Sequence, residues 1–144
     1  MPNSRIELER FEETPAAVLP PEGNLCFESQ IMIMRYALFE GEVHPGREEE
    51  FRAFVKERLV PLWTRFPGAE EVRVLDGLDR DQGAPHYAMA LAIRYPDMDA
   101  CERALASPVR AQSREVTGEL LKLFTGKVHH HVFAASEYQP ASLP

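Results

Sequence analysis

The hydrophobic pattern of the chain changes period several times after residue 30. Ile31-Met32-Ile33-Met34-Arg35-Tyr36-Ala37-Leu38-Phe39 is apolar everywhere except Arg35, and Gly41 and His44-Pro45-Gly46 follow as turn formers. A run of this kind predicts a strand covered on both faces. Next, Phe51, Phe54, Val55, Leu59, Leu62, Trp63 and Phe66 recur in steps of three and four. That spacing sets one stripe along an amphipathic helix. Glu48, Glu49 and Glu50 fall in its first turn, where acids suit the helix dipole. Pro61 predicts a kink inside the helix, and Pro67-Gly68 ends it.

The second half repeats this order. Glu71 to Asp76 alternates polar and apolar residues as a strand does, and Asp76 to Pro85 is rich in turn formers. His86 to Tyr95 is a third strand, with Tyr87, Met89, Leu91, Ile93 and Tyr95 on one face and Ala88, Ala90 and Ala92 before Arg94 on the other. A second helix opens after Pro96 on an Asp97 or Asp99 cap, and Ser107-Pro108 predicts a break with a fresh cap and a first-turn proline. The longer piece carries Val109, Val116, Leu120, Leu123 and Phe124 and is expected to stop near Gly126. Lys127 to Ala134 is a fourth strand, with a tail after it.

The order β-α-β-β-α-β predicts an α+β, ferredoxin-like protomer. Its four-stranded antiparallel sheet has strands one and three in the middle and both helices on one face. Strands one and three are also the apolar pair, as central strands should be, while two and four carry Glu, Arg, Lys and His. Two helices cover one face only. The other face lacks the polar residue at every second position that water contact demands, so a second copy of the sheet is expected to cover it. Residues 1 to 28 carry Pro15, Pro20 and Pro21 without a sustained period and read as an arm, the domain as 29–138, and 139–144 as a tail.

Composition narrows the function classes. The chain has 144 residues, enough for one compact core. Its net charge of −7, without a basic stretch, disfavours nonspecific nucleic-acid binding. The longest apolar run, Tyr87 to Ile93, falls far short of the ~20 residues that span a bilayer, so no membrane partner is expected. Cys26 and Cys101 form no CxxC pair and the first ten residues lack a signal-peptide pattern, which suggests a reducing cytoplasm. No nucleophile elbow, P-loop or dinucleotide glycine fingerprint occurs, and no cofactor is expected.

The residues also carry a family resemblance. The strand Ile31 to Phe39, the stretch Pro45-Gly46-Arg47-Glu48-Glu49-Glu50-Phe51, and Val60-Pro61-Leu62 before Phe66-Pro67-Gly68 stand in a fixed order. Met98-Asp99-Ala100, Ala106-Ser107-Pro108 and Phe124-Thr125-Gly126-Lys127-Val128 continue it into a histidine-bearing strand. In these features the core from Met32 to Ala134 resembles the dimeric α/β-barrel superfamily, and within it the EthD-like group. The resemblance implies protomers whose sheets pair face to face and leave a pocket between sheet and helices or sheet and partner. It implies activities ranging from cofactor-independent monooxygenation to lactone isomerisation and haem degradation, alongside members without a known reaction. Relatives often carry a histidine before Val-Pro-Leu; here the residue is Leu59.

Candidate chemistry centres on His129-His130-His131. Residues two apart on a strand share a face at ~6.5–7 Å, so His129 and His131 point together and His130 points away. In the enzymatic reading His129 or His131 is a general base, Arg35 stabilises a developing oxyanion, and Tyr36 or Tyr87 holds a small apolar or aromatic ligand. Trp63 serves as a pocket wall or as core. Arg35, alone in an apolar strand, must be paired or must face a cavity. Two other readings stay open: a non-catalytic accessory or binding protein, and a metal or haem site on the strand-four histidines with His44, His86 or a carboxylate completing a metal set. Glu48 to Glu50 read as helix-start electrostatics.

Overall fold

The computed structural model describes residues 31–141; the expected arm, residues 1 to 28, and Cys26 lie outside them. One compact unit spans Met32–Ala135 and holds the elements that matter here. Strand β1 is Ile31–Val43 and is followed by helix α1, Glu48–Phe54. A π-helical segment, Val55–Leu59, links α1 to the short helix α2, Val60–Trp63. Pro61 has no N–H for the carbonyl four residues before it, and the wider π turn precedes it directly. The predicted kink therefore takes the form of a π segment that points Val55 and Leu59 into the core.

Strand β2 is Glu71–Asp76 and β3 is Tyr87–Tyr95. Helix α3, Met98–Leu105, opens on Asp97, whose carboxylate accepts from the Ala100 N–H at 2.8 Å. Helix α4, Pro108–Leu120, opens on Ser107 with Pro108 in its first turn, as the Ser-Pro pair predicted. A 3₁₀ turn, Leu121–Leu123, leads into β4, Phe124–Ser136.

The sheet order is β2-β3-β1-β4, so the first and third strands are central and the fold is ferredoxin-like and antiparallel. In the register, Arg35, Ala37 and Phe39 stand opposite Ile93, Leu91 and Met89, and Tyr36 and Leu38 stand opposite Ala92 and Ala90. The apolar members of the first set, Ala37, Phe39, Ile93, Leu91 and Met89, pack with Phe51, Leu59, Trp63, Ala104 and Leu120 into the core. Phe39, Phe51 and Phe124 meet there at ring-centroid distances of 5.9 to 6.5 Å. The second set lies on the face without helices.

Gly126 differs from its expected role as a helix stop. It lies inside β4 at φ +151°, and a Cβ there would collide with the Glu40 carbonyl oxygen and Gly41 of the neighbouring strand. Its function is close backbone approach between β1 and β4. The helix ends earlier because the 3₁₀ turn tightens its last residues. Among the described residues no helix is long and apolar enough to cross a membrane.

Candidate functional site

Strand alternation decides which side chains meet the helices. On β1, Arg35, Ala37 and Phe39 turn toward them; on β4, Val128 and His130 do the same. Helix α4 lies above and presents Arg110, Ser113, Arg114, Thr117 and Gly118, which recur in steps of three and four. Trp63 and Phe66 close one side. Together these groups line an open-sided cavity of about 260 Å³ with an apolar floor and a cationic rim.

Electrostatics set the rim apart. No carboxylate stands within ion-pair distance of Arg35, Arg110 or Arg114 among the described residues, whereas Arg47, Arg58, Arg73 and Arg94 each have an acidic partner. Burial, then the nearby Arg110 charge, lowers the pKa of Arg35, and Arg110 is lowered by burial and then by Arg114. His130 is held down to about 4, by burial first and then by Arg35, Arg110, Arg114 and His129. His130 is a neutral imidazole at pH 7.

Beside Arg35, the core residue Tyr95 is fully buried and its hydroxyl has no hydrogen-bond partner among the described residues. Burial pushes that phenol up to about 12, and it interacts electrostatically with Cys101, Arg35 and Arg110. Cys101 is a free, buried thiol on α3, raised by burial. Tyr95 and Cys101 are therefore neutral in the core.

The geometry corrects the expected grouping of Arg35 with His129 and His131. Those two histidines occupy the opposite face of the sheet from Arg35. His129 Nε2 is 2.7 Å from Glu40 Oε1, and His131 stacks on Phe133 at 6.1 Å. Tyr36 also lies there, edge-on to Phe133 at 5.5 Å. The histidine that reaches the cavity with Arg35 is the middle one. Trp63 does line the cavity. Tyr87 instead borders a larger hollow of about 780 Å³ framed by the loop from Gly77 to His86, which brings no cluster of like charges together.

His44 hydrogen-bonds Thr125 Oγ1 at 2.9 Å, and His86 stands 4.0 Å from Glu42, so neither accompanies the strand-four histidines into one site. Among the described residues, no three His, Cys, Asp or Glu side chains converge as a metal set. Arg110 and Arg114 are not singled out by the sequence pattern, and His130 is marked there only as the histidine that points away from His129 and His131. A signal was present: two arginines four apart near a helix N-terminus repel each other and oppose the dipole, an arrangement that local stability does not favour.

Comparison with known proteins places the fold. No family profile matches the chain, and no curated protein matches it. Solved structures do. An ethyl tert-butyl ether D (EthD) family protein of Bacillus halodurans superposes with a TM-score of 0.55 at 16% identity, covering 71% of this chain and 96% of its own. SnoaB of Streptomyces nogalater, a cofactor-independent oxygenase, gives 0.53 at 24% identity, covering 78% and 99%. A dimeric ferredoxin-like protein of unknown function from Thermobifida fusca gives 0.52 at 17%, covering 73% and 92%. At these identities the likeness establishes the ferredoxin-like fold.

Proposed function

We propose that the protein binds a small organic molecule in the cavity between the sheet and α4 and moves a proton on it without a resident cofactor. One observation carries this reading: a neutral His130 and a charged Arg35 share an apolar cavity with Trp63 and Phe66. The neutral imidazole is free to take a proton from carbon next to a carbonyl; the neighbouring cations lower its basicity, and the step is favoured by their stabilisation of the enolate oxygen. The proton passes to an imidazole nitrogen of His130, and the C–H electron pair moves into an enolate whose oxygen lies against Arg35. The enolate charge raises the proton affinity of His130 as the step proceeds. Return of the proton to a different carbon completes an isomerisation. The same carbanion is what a cofactor-free oxygenation offers to dioxygen, and the oxygenase among the structural neighbours supports that branch.

The assembly we infer is a homodimer in which the helix-free faces pack together. Tyr36, Leu38 and the half-exposed Phe133 make that face apolar, and structural neighbours described as dimeric support the pairing.

The test uses 2-tetralone, an enolisable aromatic ketone. Exchange of its C1 hydrogens in D₂O, followed by proton NMR, is expected to be accelerated by the protein. His130→Ala is expected to remove about 10²-fold or more of that acceleration. Loss of the rate in His129→Ala and His131→Ala, with His130→Ala unaffected, transfers the base to the other face and ends this assignment.

A further inference from the structure

We propose that the cavity is selective for an organic anion, a small aromatic carboxylate, with its charged head among Arg35, Arg110 and Arg114 and its ring against Trp63 and Phe66. The inference deepens the preceding reading and rests on its cavity; it adds the charge and class of the ligand.

Charge bookkeeping comes first. The chain as a whole is acidic, at −7, yet three guanidinium groups face one small cavity and no carboxylate answers them among the described residues. Arg94 reaches Glu70 at 3.3 Å and Glu71 at 3.6 Å, and Arg73 reaches Glu71 at 3.0 Å, while Arg52, Arg65, Arg80 and Arg103 have no ion pair among the described residues; what distinguishes Arg35, Arg110 and Arg114 is that they line one cavity together. Arg35 is half-buried on a central strand, where an unpaired charge is expensive. Arg110 and Arg114 repel each other along one helix face. Two local penalties, the unpaired Arg35 and the Arg110–Arg114 repulsion, converge on one place, as they do where a counter-charge arrives from outside.

The choice of anion follows from the walls. A neutral ligand can use the apolar floor but gains no ion pair from the rim, so it binds more weakly than an anion of the same shape. A carboxylate gives the guanidinium groups planar, charge-assisted hydrogen bonds. An inorganic anion answers the rim but leaves Trp63, Phe66, Phe39 and Leu91 as an unused apolar floor. About 260 Å³ suits one ring with its substituent.

Isothermal titration calorimetry with benzoate, benzamide and inorganic phosphate tests the proposal. Trp63 supplies a second readout, because it is the chain's single tryptophan and its fluorescence reports occupancy of the cavity. Benzoate is expected to bind at least about tenfold more tightly than benzamide, and Arg110→Gln to weaken benzoate by a similar factor without changing benzamide. Arg35→Met is expected to weaken benzoate further. Arg110→Gln, on the helix rim, keeps the test valid if Arg35→Met does not fold. Equal binding of benzoate and benzamide overturns the anion class while leaving the cavity as a site. Phosphate binding as tightly as benzoate overturns the organic carboxylate in favour of a phosphate-bearing ligand. Absence of binding by all three at about 10 mM overturns the anion site itself. Failure of the 2-tetralone exchange alone removes only the proton-transfer reading.

Discussion

The two faces of one four-stranded sheet differ in almost every physical respect, although the same strands build both. The helix-covered face holds a closed core, with Tyr95 and Leu59 fully buried, and within it a cavity where positive charge is concentrated and unanswered. On the helix-free face, His129 is paired with Glu40 and the apolar surface is half-open, with Phe133 still 51% exposed. Three consecutive histidines sample both. His130 lives beside three arginines, while His129 and His131 meet a carboxylate and an aromatic ring. Chemistry on a strand is thus assigned by which face packs helices, and neighbours in sequence have unrelated roles.

The most drastic way to break this contrast is to part the strands that carry both faces. Gly126→Ala puts a Cβ against the Glu40 backbone at φ +151°, and we expect a loss of at least about 3 kcal/mol in urea unfolding. A variant of unchanged midpoint contradicts the close approach of β1 and β4. Next, Phe133→Asp confronts the helix-free face alone. Sedimentation at micromolar concentration is expected to show single chains, with the dimer weakened by about 100-fold or more, while benzoate binding in the cavity persists.

A subtler experiment separates the histidines by titration. His130 in the wild type is expected to protonate near pH 4 by NMR, and Arg35→Met to raise that midpoint toward ordinary imidazole behaviour. Arg110 and Arg114 on α4 and His129 on β4 act in the same direction as Arg35, so the rise stops short of the ordinary value. Stability follows with a definite sign. Between an ordinary value of 6.5 and about 4 the unfolded chain binds more protons than the fold. Stability contributed by neutral His130 is therefore complete above pH 6.5 and lost as pH falls through about 4. His130→Asn should flatten that part of a pH series of urea midpoints; an unchanged slope would assign the loss to other groups. The smallest effect belongs to Glu40→Gln, which removes a part-exposed ion pair on the opposite face. A change below about 1 kcal/mol, with benzoate affinity unaltered, is the expected result.

Much of the architecture was legible because its signals are short-ranged. The apolar strands Ile31 to Phe39 and His86 to Tyr95 stand at the centre of the sheet, and Ser107-Pro108 does restart the helix. Gly126 was misread because glycine after an amphipathic run has two physical uses, a left-handed helix end and a close strand contact, and the partner that distinguishes them, Gly41, is far away in the chain. The site was half-legible. Arg35 was marked as a charge needing a cavity or a partner, and Trp63 as a possible wall. Arg110 and Arg114 carry no such mark: the apolar stripe of Val109, Val116 and Leu120 marks one face of α4, and the adjoining polar stripe borders the cavity.

The amino-acid order alone determined the succession of elements, the central position of the two apolar strands and the opposition of His130 to its neighbours. These follow from periods, caps and alternation acting within a few residues. Only the tertiary structure decided which side of the sheet α4 covers, and hence that His130, not His129 or His131, meets Arg35. Alternation is symmetric between the two faces, and the packing of a distant helix is what breaks that symmetry.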